Sequence, residues 1–167
     1  MTSWNRGRRT PTSDISLLLT ILDQAYDHPS WHGTNLKGST RRVTPVQAAW
    51  RPAPSRHNIW ELVVHAAYWK YAVTRRFSGG ARGSFPLKGS NWFKRPQEKT
   101  ERAWKDDVEL LDQMHRDLRA AVARLSTKDL AVTPPGRKVS NFALLSGIAA
   151  HDLYHAGQIQ LLKRLQQ

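Results

Sequence analysis

Gly147 to Leu162 reads Gly-Ile-Ala-Ala-His-Asp-Leu-Tyr-His-Ala-Gly-Gln-Ile-Gln-Leu-Leu, and it constrains the chain more than any other stretch. Leu144, Ile148, Ile159 and Leu162 recur at steps of three and four, the spacing of a helix with one buried face. His151 and His155 fall within that stripe. Residues four apart lie one above the other on a helix, with Cβ atoms about 6 Å apart. Two imidazoles so placed can grip one cation, the interval that helical zinc motifs use. They also point toward a core in which an unpaired polar group is costly. That conflict needs a resolution, and a bound metal ion is one.

The rest of the chain supplies helices for this one to pack against. Asp14 to about Asp27 reads as a first helix, with Ser13 or Thr12 as N-cap and Ile15, Leu18, Leu19, Leu22 and Tyr26 on one face. Pro29 stops it, and Thr44-Pro45 starts a short helical turn through Trp50. A second long helix is expected from Ile59 to Phe77, opened by an Asn58/Glu61 pair resembling a capping box and closed by Gly79-Gly80. Its inward face carries Leu62, Ala66, Trp69 and Val73, with His65 on the same side. Thr100 opens a third helix, Glu101 to about Leu125, whose core face is Trp104, Val108, Leu111, Met114 or His115, Leu118 and Val122. After the turn at 133–136, Ser140 caps a fourth that runs to about Leu165. No strand pattern competes. The expected class is all-α: a four-helix bundle with long crossover connections, spanning 13–167 as one domain behind a flexible tail, 1–12. The connection 79–99 is long enough to be functional, and Phe85, Trp92 and Phe93 argue against disorder there.

Composition narrows the chemistry. The chain has no cysteine, so disulfides and thiolate ligands are excluded and any thiol must come from outside; a reducing cytoplasm is the default expectation. No apolar run approaches a membrane span, and the basic N-terminus lacks the apolar segment of a secretory signal. The net charge of +13 sits almost wholly between Lys37 and Lys105, where fifteen Lys and Arg face three acids. Such a patch favours anionic partners: a small anionic or thiol-bearing molecule, nucleic acid, or an acidic membrane surface. Nucleic acid is the less favoured of these, because the charge follows no recognised DNA- or RNA-binding motif.

A third histidine, His65, on the apolar face of another helix completes a set of three, the number of protein ligands in many catalytic zinc-type sites. Taken alone, His65 reads as a core histidine bonded to a carbonyl or a Tyr hydroxyl. His28, His32 and His57 fall at helix ends or in loops and are expected to be exposed. Gln158, three residues after His155, is a candidate to hold a ligand ring; Asp152 is an inter-helix or supporting group, and Tyr68 and Tyr154 are polar neighbours. Arg75, Arg76, Arg82, Lys88, Lys94 and Arg95 flank or lie in the 79–99 connection and are candidates to bind the carboxylates of a cofactor. Gly147 precedes His151 by one turn, so it either leaves space for a substrate or lets a helix approach closely.

The runs Glu61-Leu-Val-Val-His65-Ala-Ala-Tyr-Trp69 and His151-Asp-Leu-Tyr-His155-Ala-Gly-Gln158-Ile resemble the DinB-like superfamily (the DinB/YfiT group), over roughly 13–166. The resemblance implies an up-down-down-up four-helix bundle, frequently a homodimer. It also implies a divalent ion (nickel, zinc or similar) on three histidines, matching His65, His151 and His155. Relatives include metal-dependent transferases and isomerases that use bacillithiol, mycothiol or glutathione. A thiol S-transferase is therefore the first expectation and a metal-dependent hydrolase the second. Non-catalytic alternatives are a metal-containing stress protein that binds nucleic acid and a bundle that has lost catalysis.

Overall fold

A computed structural model describes residues 13–78, 83–133 and 138–167. The expected tail, Gly79-Gly80, Arg82 and most of the 133–136 turn lie outside the described residues. Among these there is no strand, and no helix is long and apolar enough to cross a membrane. The fold is all-helical.

Four long helices appear where the apolar periods place them: α1 (Asp14–Tyr26), α4 (Ile59–Ser78), α5 (Glu101–Val122) and α7 (Asn141–Arg164). Each start has a local cause. The side chains of Ser13, Thr100 and Ser140 accept from the backbone N–H three residues on, at 3.2 Å in each case. Asn58 does the same for Glu61 at 2.7 Å. The expected reciprocal half of that capping box is missing, because the Glu61 carboxylate turns to Arg51 and His57 instead.

Three single-turn helices fill the connections: α2 (Leu36–Thr40), α3 (Pro45–Ala49) and α6 (Thr127–Ala131). Only α3 was expected. The other two are too short to show an apolar period, but each carries a cap. Asn35 accepts from Gly38, and the Asp129 carboxylate accepts from the Ser126 N–H. The Ser126 turn also ends α5 three residues before the expected Leu125.

The helix α4 packs mainly on α5, α1 packs on α7, and α4 also packs on α7. Their apolar side chains form two clusters rather than one. The first includes Tyr26, Trp60, Val63, Ala67, Trp104, Leu111, Ala156 and Ile159. The second includes Leu22, Val73, Leu118, Leu145 and Ala149. Between them on α4 falls Lys70, on α5 His115 and on α7 Asp152, all buried. The Lys70 ammonium donates to the Asp152 carboxylate, and it also lies 3.5 Å from His115 Nδ1 and 4.7 Å from the Tyr26 ring centre. Tyr26 stacks on His115 at 3.8 Å and donates to Asp112, which Lys37 reaches from outside at 3.0 Å. Arg119 holds Asp23 with two bonds of 2.8 and 3.0 Å. A polar belt thus divides the interior.

The buried face of α7 differs from the expected stripe. It runs through Leu145, Ile148, Ala149, Asp152, His155, Ala156, Ile159 and Leu162, with Leu144 and His151 only partly buried at its edge. Because α7 carries apolar residues all round, including exposed Phe142, Leu161 and Leu165, their spacing did not fix which side turns inward.

Removing one partner of a buried ion pair strands the other charge, at a cost of about 3–5 kcal/mol. Lys70→Met should therefore lose that much in urea unfolding, and Lys70→Met with Asp152→Leu should lose clearly less than the two single variants together. Burial, then the nearby Lys70 and Arg119 charges, pushes the His115 pKa down to about 2. Below the ordinary value near 6.5 the unfolded chain binds a proton that the folded chain refuses, so stability falls as pH drops from about 6.5 toward 2. His115→Gln should flatten that slope by up to about 1.4 kcal/mol per pH unit, measured by unfolding at a series of pH values.

Candidate metal centre

The α4 helix presents His65 toward α7, where His151 and His155 stand one turn apart. The Nε2 atoms converge: His65 to His151 is 3.2 Å and His151 to His155 is 3.0 Å. The candidate ligand atoms of the three residues all lie within 4.8 Å of one another, and no other such cluster of His, Asp and Glu occurs among the described residues.

The far nitrogens fix the tautomers. His65 Nδ1–H donates to the Asn91 carbonyl at 2.8 Å, and His155 Nδ1–H donates to Gln158 Oε1 at 2.6 Å. Both rings therefore present Nε2 lone pairs to the centre. His151 Nε2 can donate a proton to only one of them, so at least one pair of lone pairs faces the other without a proton between. Burial, reinforced at His151 by the other two rings, pushes the pKa of His65 down to about 4 and that of His151 to about 3. His155 is also lowered, mainly by burial. At neutral pH the rings are thus uncharged, the form a metal takes. Three neutral imidazoles with converging lone pairs fit a divalent cation.

The 83–99 segment closes one side. Trp92 stacks on His65 at 3.8 Å, and its other face stacks on His57 at 3.6 Å. His57 Nδ1–H donates to Glu61 at 2.9 Å, and Arg51 grips Glu61 with two bonds of 2.5 and 2.8 Å. Burial raises the Glu61 pKa, but Arg51 and His57 outweigh it and hold the carboxyl below its usual range. His57 is exposed, as expected, but it is not idle.

A cavity of about 570 Å³ opens beside His155 and Gln158. Its walls include His57, Leu62, Trp92, Tyr154 and Leu161, and its one lysine or arginine is Arg56. No carboxylate lines it.

Gln158 sits where expected, on a ligand ring. Asp152 is the inter-helix group, engaged by Lys70. Tyr154 is largely exposed with its ring edge-on to His155 at 5.2 Å. Tyr68 packs instead among Trp69, Tyr71, Phe85 and Phe93.

The expected anion-binding cations do not gather at the histidines. Arg95 is paired with Asp107 at 2.6 Å. Arg75 and Lys88 line a separate cavity with Tyr68, Tyr71 and Phe85. Lys94 is exposed and Arg76 is partly buried near the end of α4, neither of them lining the cavity at His155. Arg82 lies outside the described residues. Arg56, His57 and the Arg51–Glu61 clamp escaped the sequence reading. The visible signal was the i,i+4 spacing of His57 and Glu61 at a helix start.

These features define a helical protein whose interior gathers three histidines from two helices in a form that can hold a metal ion. A sequence model of the DinB superfamily matches residues 30–159, and the chain belongs to that superfamily. No curated protein and no solved structure matches the chain significantly.

His151→Ala should abolish stoichiometric binding of a divalent ion, measured by metal analysis after dialysis. Gln158→Leu should keep the site but weaken it roughly 10–100-fold in a chelator competition, since the His155 ring loses its acceptor.

Proposed function

We propose that this chain is a metal-dependent S-transferase of the up-down-down-up four-helix-bundle type, with nickel or zinc on His65, His151 and His155 and a low-molecular-weight thiol as cosubstrate. The observation that carries the proposal is the cavity walled by His155, one of the three converging histidines, which offers one unpaired arginine and one oriented histidine. A divalent ion held there supplies a 2+ charge that lowers the pKa of an adjacent thiol.

The chain's own groups do the rest. Arg56 binds a carboxylate of the thiol cosubstrate, whose apolar part lies along Trp92 and Leu161. His57 takes the thiol proton on Nε2, because Glu61 accepts from its Nδ1–H and fixes that tautomer. The sulfur then bonds to the electrophilic carbon, and the leaving group departs with the bonding electrons. Bacillithiol and glutathione carry the carboxylates this arrangement requires, whereas mycothiol has none to give Arg56.

The nucleic-acid reading is weaker. Lys37, Arg51, Lys70 and Arg95, all in the basic segment, are tied to Asp112, Glu61, Asp152 and Asp107. Their charge is answered within the chain.

The test is to load the protein with nickel or zinc and screen the three thiols against an alkyl halide, identifying the conjugate by mass. A thioether product is expected; hydrolysed acceptor without a thioether would point to the hydrolase reading. His57→Gln should lower turnover about 10²-fold or more with metal content unchanged, and the loss should shrink at high pH where the free thiol ionises unaided.

A further inference from the structure

A second, smaller cavity meets His151 and shares no lining residue with the first. It measures about 180 Å³ and lies against Gly147 and His151 on α7 and Trp69 and Val73 on α4, with Val139, Ala143, Leu144 and Ile148 completing its apolar wall. None of its lining residues is charged. The Trp69 indole N–H is already donated to Asn91 Oδ1 at 3.0 Å. That leaves His151 Nδ1, which is buried and has no hydrogen-bond partner. When Nε2 faces the other two rings as a ligand, Nδ1 carries the proton, and ligating histidines usually give that proton to an acceptor. Among the described residues none accepts it.

Gly147 keeps the space open. A Cβ built there meets no atom within 4 Å, so the glycine is not required for close helix packing. It costs the helix roughly 1 kcal/mol relative to alanine, which the local packing does not explain.

We propose that this chamber is the acceptor subsite, taking a small, neutral, mainly apolar electrophile with one hydrogen-bond acceptor, and that Gly147 sets the size of what enters. A cavity of about 150 Å³ accommodates benzene, so the chamber admits a molecule on the scale of a single substituted ring. The absence of charge in its walls excludes anions and cations, which would be desolvated without a partner. The acceptor atom takes the His151 Nδ1–H. The two substrates then reach the histidines through separate cavities: the anionic thiol past Arg56 and His155, the neutral electrophile past Gly147 and His151. This assignment rests on the transferase reading for its chemistry but not for its test.

The experiment measures binding of acetophenone, a neutral aryl ketone, to zinc-loaded protein by ligand-observed NMR without any thiol present. Gly147→Leu should raise the dissociation constant at least ~10-fold. Gly157→Leu places the same side chain on the same helix, at an exposed position outside the chamber with nothing within 4 Å, and should leave it unchanged. Zinc content should stay the same in both variants, which separates a filled chamber from a damaged site. Absence of binding to the native protein at millimolar ketone, or equal binding by native protein and Gly147→Leu, or equal weakening in both variants, overturns the assignment. Binding that Gly147→Leu removes, together with no thioether product from any thiol, would leave the subsite standing and reject the transferase reading.

Discussion

The ion pair between Lys70 and Asp152 is the constraint on which the arrangement of α4 and α7 depends. Both side chains are fully buried, and neither can leave the other without a large electrostatic cost. Lys70 stands on the helix that carries His65, and Asp152 immediately follows His151. Apolar contacts alone tolerate rotation of one helix on another, because side chains of similar size exchange partners at modest cost. A buried charge has only one acceptable partner. The pair therefore fixes the rotation of each helix, and that rotation carries the three imidazoles to one point.

The cost of this device is visible in the core. Two apolar clusters do the work usually done by one, with a layer of Lys, Asp, His and Tyr between them. The layer tolerates its burial because its members pair: Tyr26 with Asp112, Lys70 with Asp152, Arg119 with Asp23. The histidine centre lies on two of the four helices that carry this layer but behaves oppositely. Its rings are held neutral by burial, and their inward nitrogens face one another. One buried cluster answers its main charges within the chain, while the other gathers three neutral rings that could hold an added cation.

The long helices were legible because each combines an apolar period with a cap residue that has a local reason to stop the chain. The His151 and His155 pair was legible too, since a four-residue interval on a helix is set by backbone geometry alone, whereas His65 on its own read as an ordinary core histidine and joined them through its apolar face. What the sequence concealed depends on where loops travel. Nothing in the order of residues indicates that Trp92 lies between His57 and His65, or that Glu61 turns from its cap toward Arg51. Counting charges located the basic segment but could not assign partners, so Arg95 looked available when Asp107 already holds it. On α7 the spacing admitted two inward faces, and it took the tie from Asp152 to Lys70 to select one.

The grip on His65 has a consequence for how this site tolerates change. Its acceptor is the main-chain oxygen of Asn91, a residue with φ of +62°, a left-handed conformation that asparagine accepts more readily than most residues. The orientation of a prospective ligand is thus encoded in the path of the backbone, not in the chemistry of a particular side chain. Position 91 itself holds His65 through its main chain, while the neighbouring Trp92 contributes its side chain by stacking on the same ring. A β-branched residue at 91 would resist that twist and move the oxygen, altering the centre without substituting any histidine.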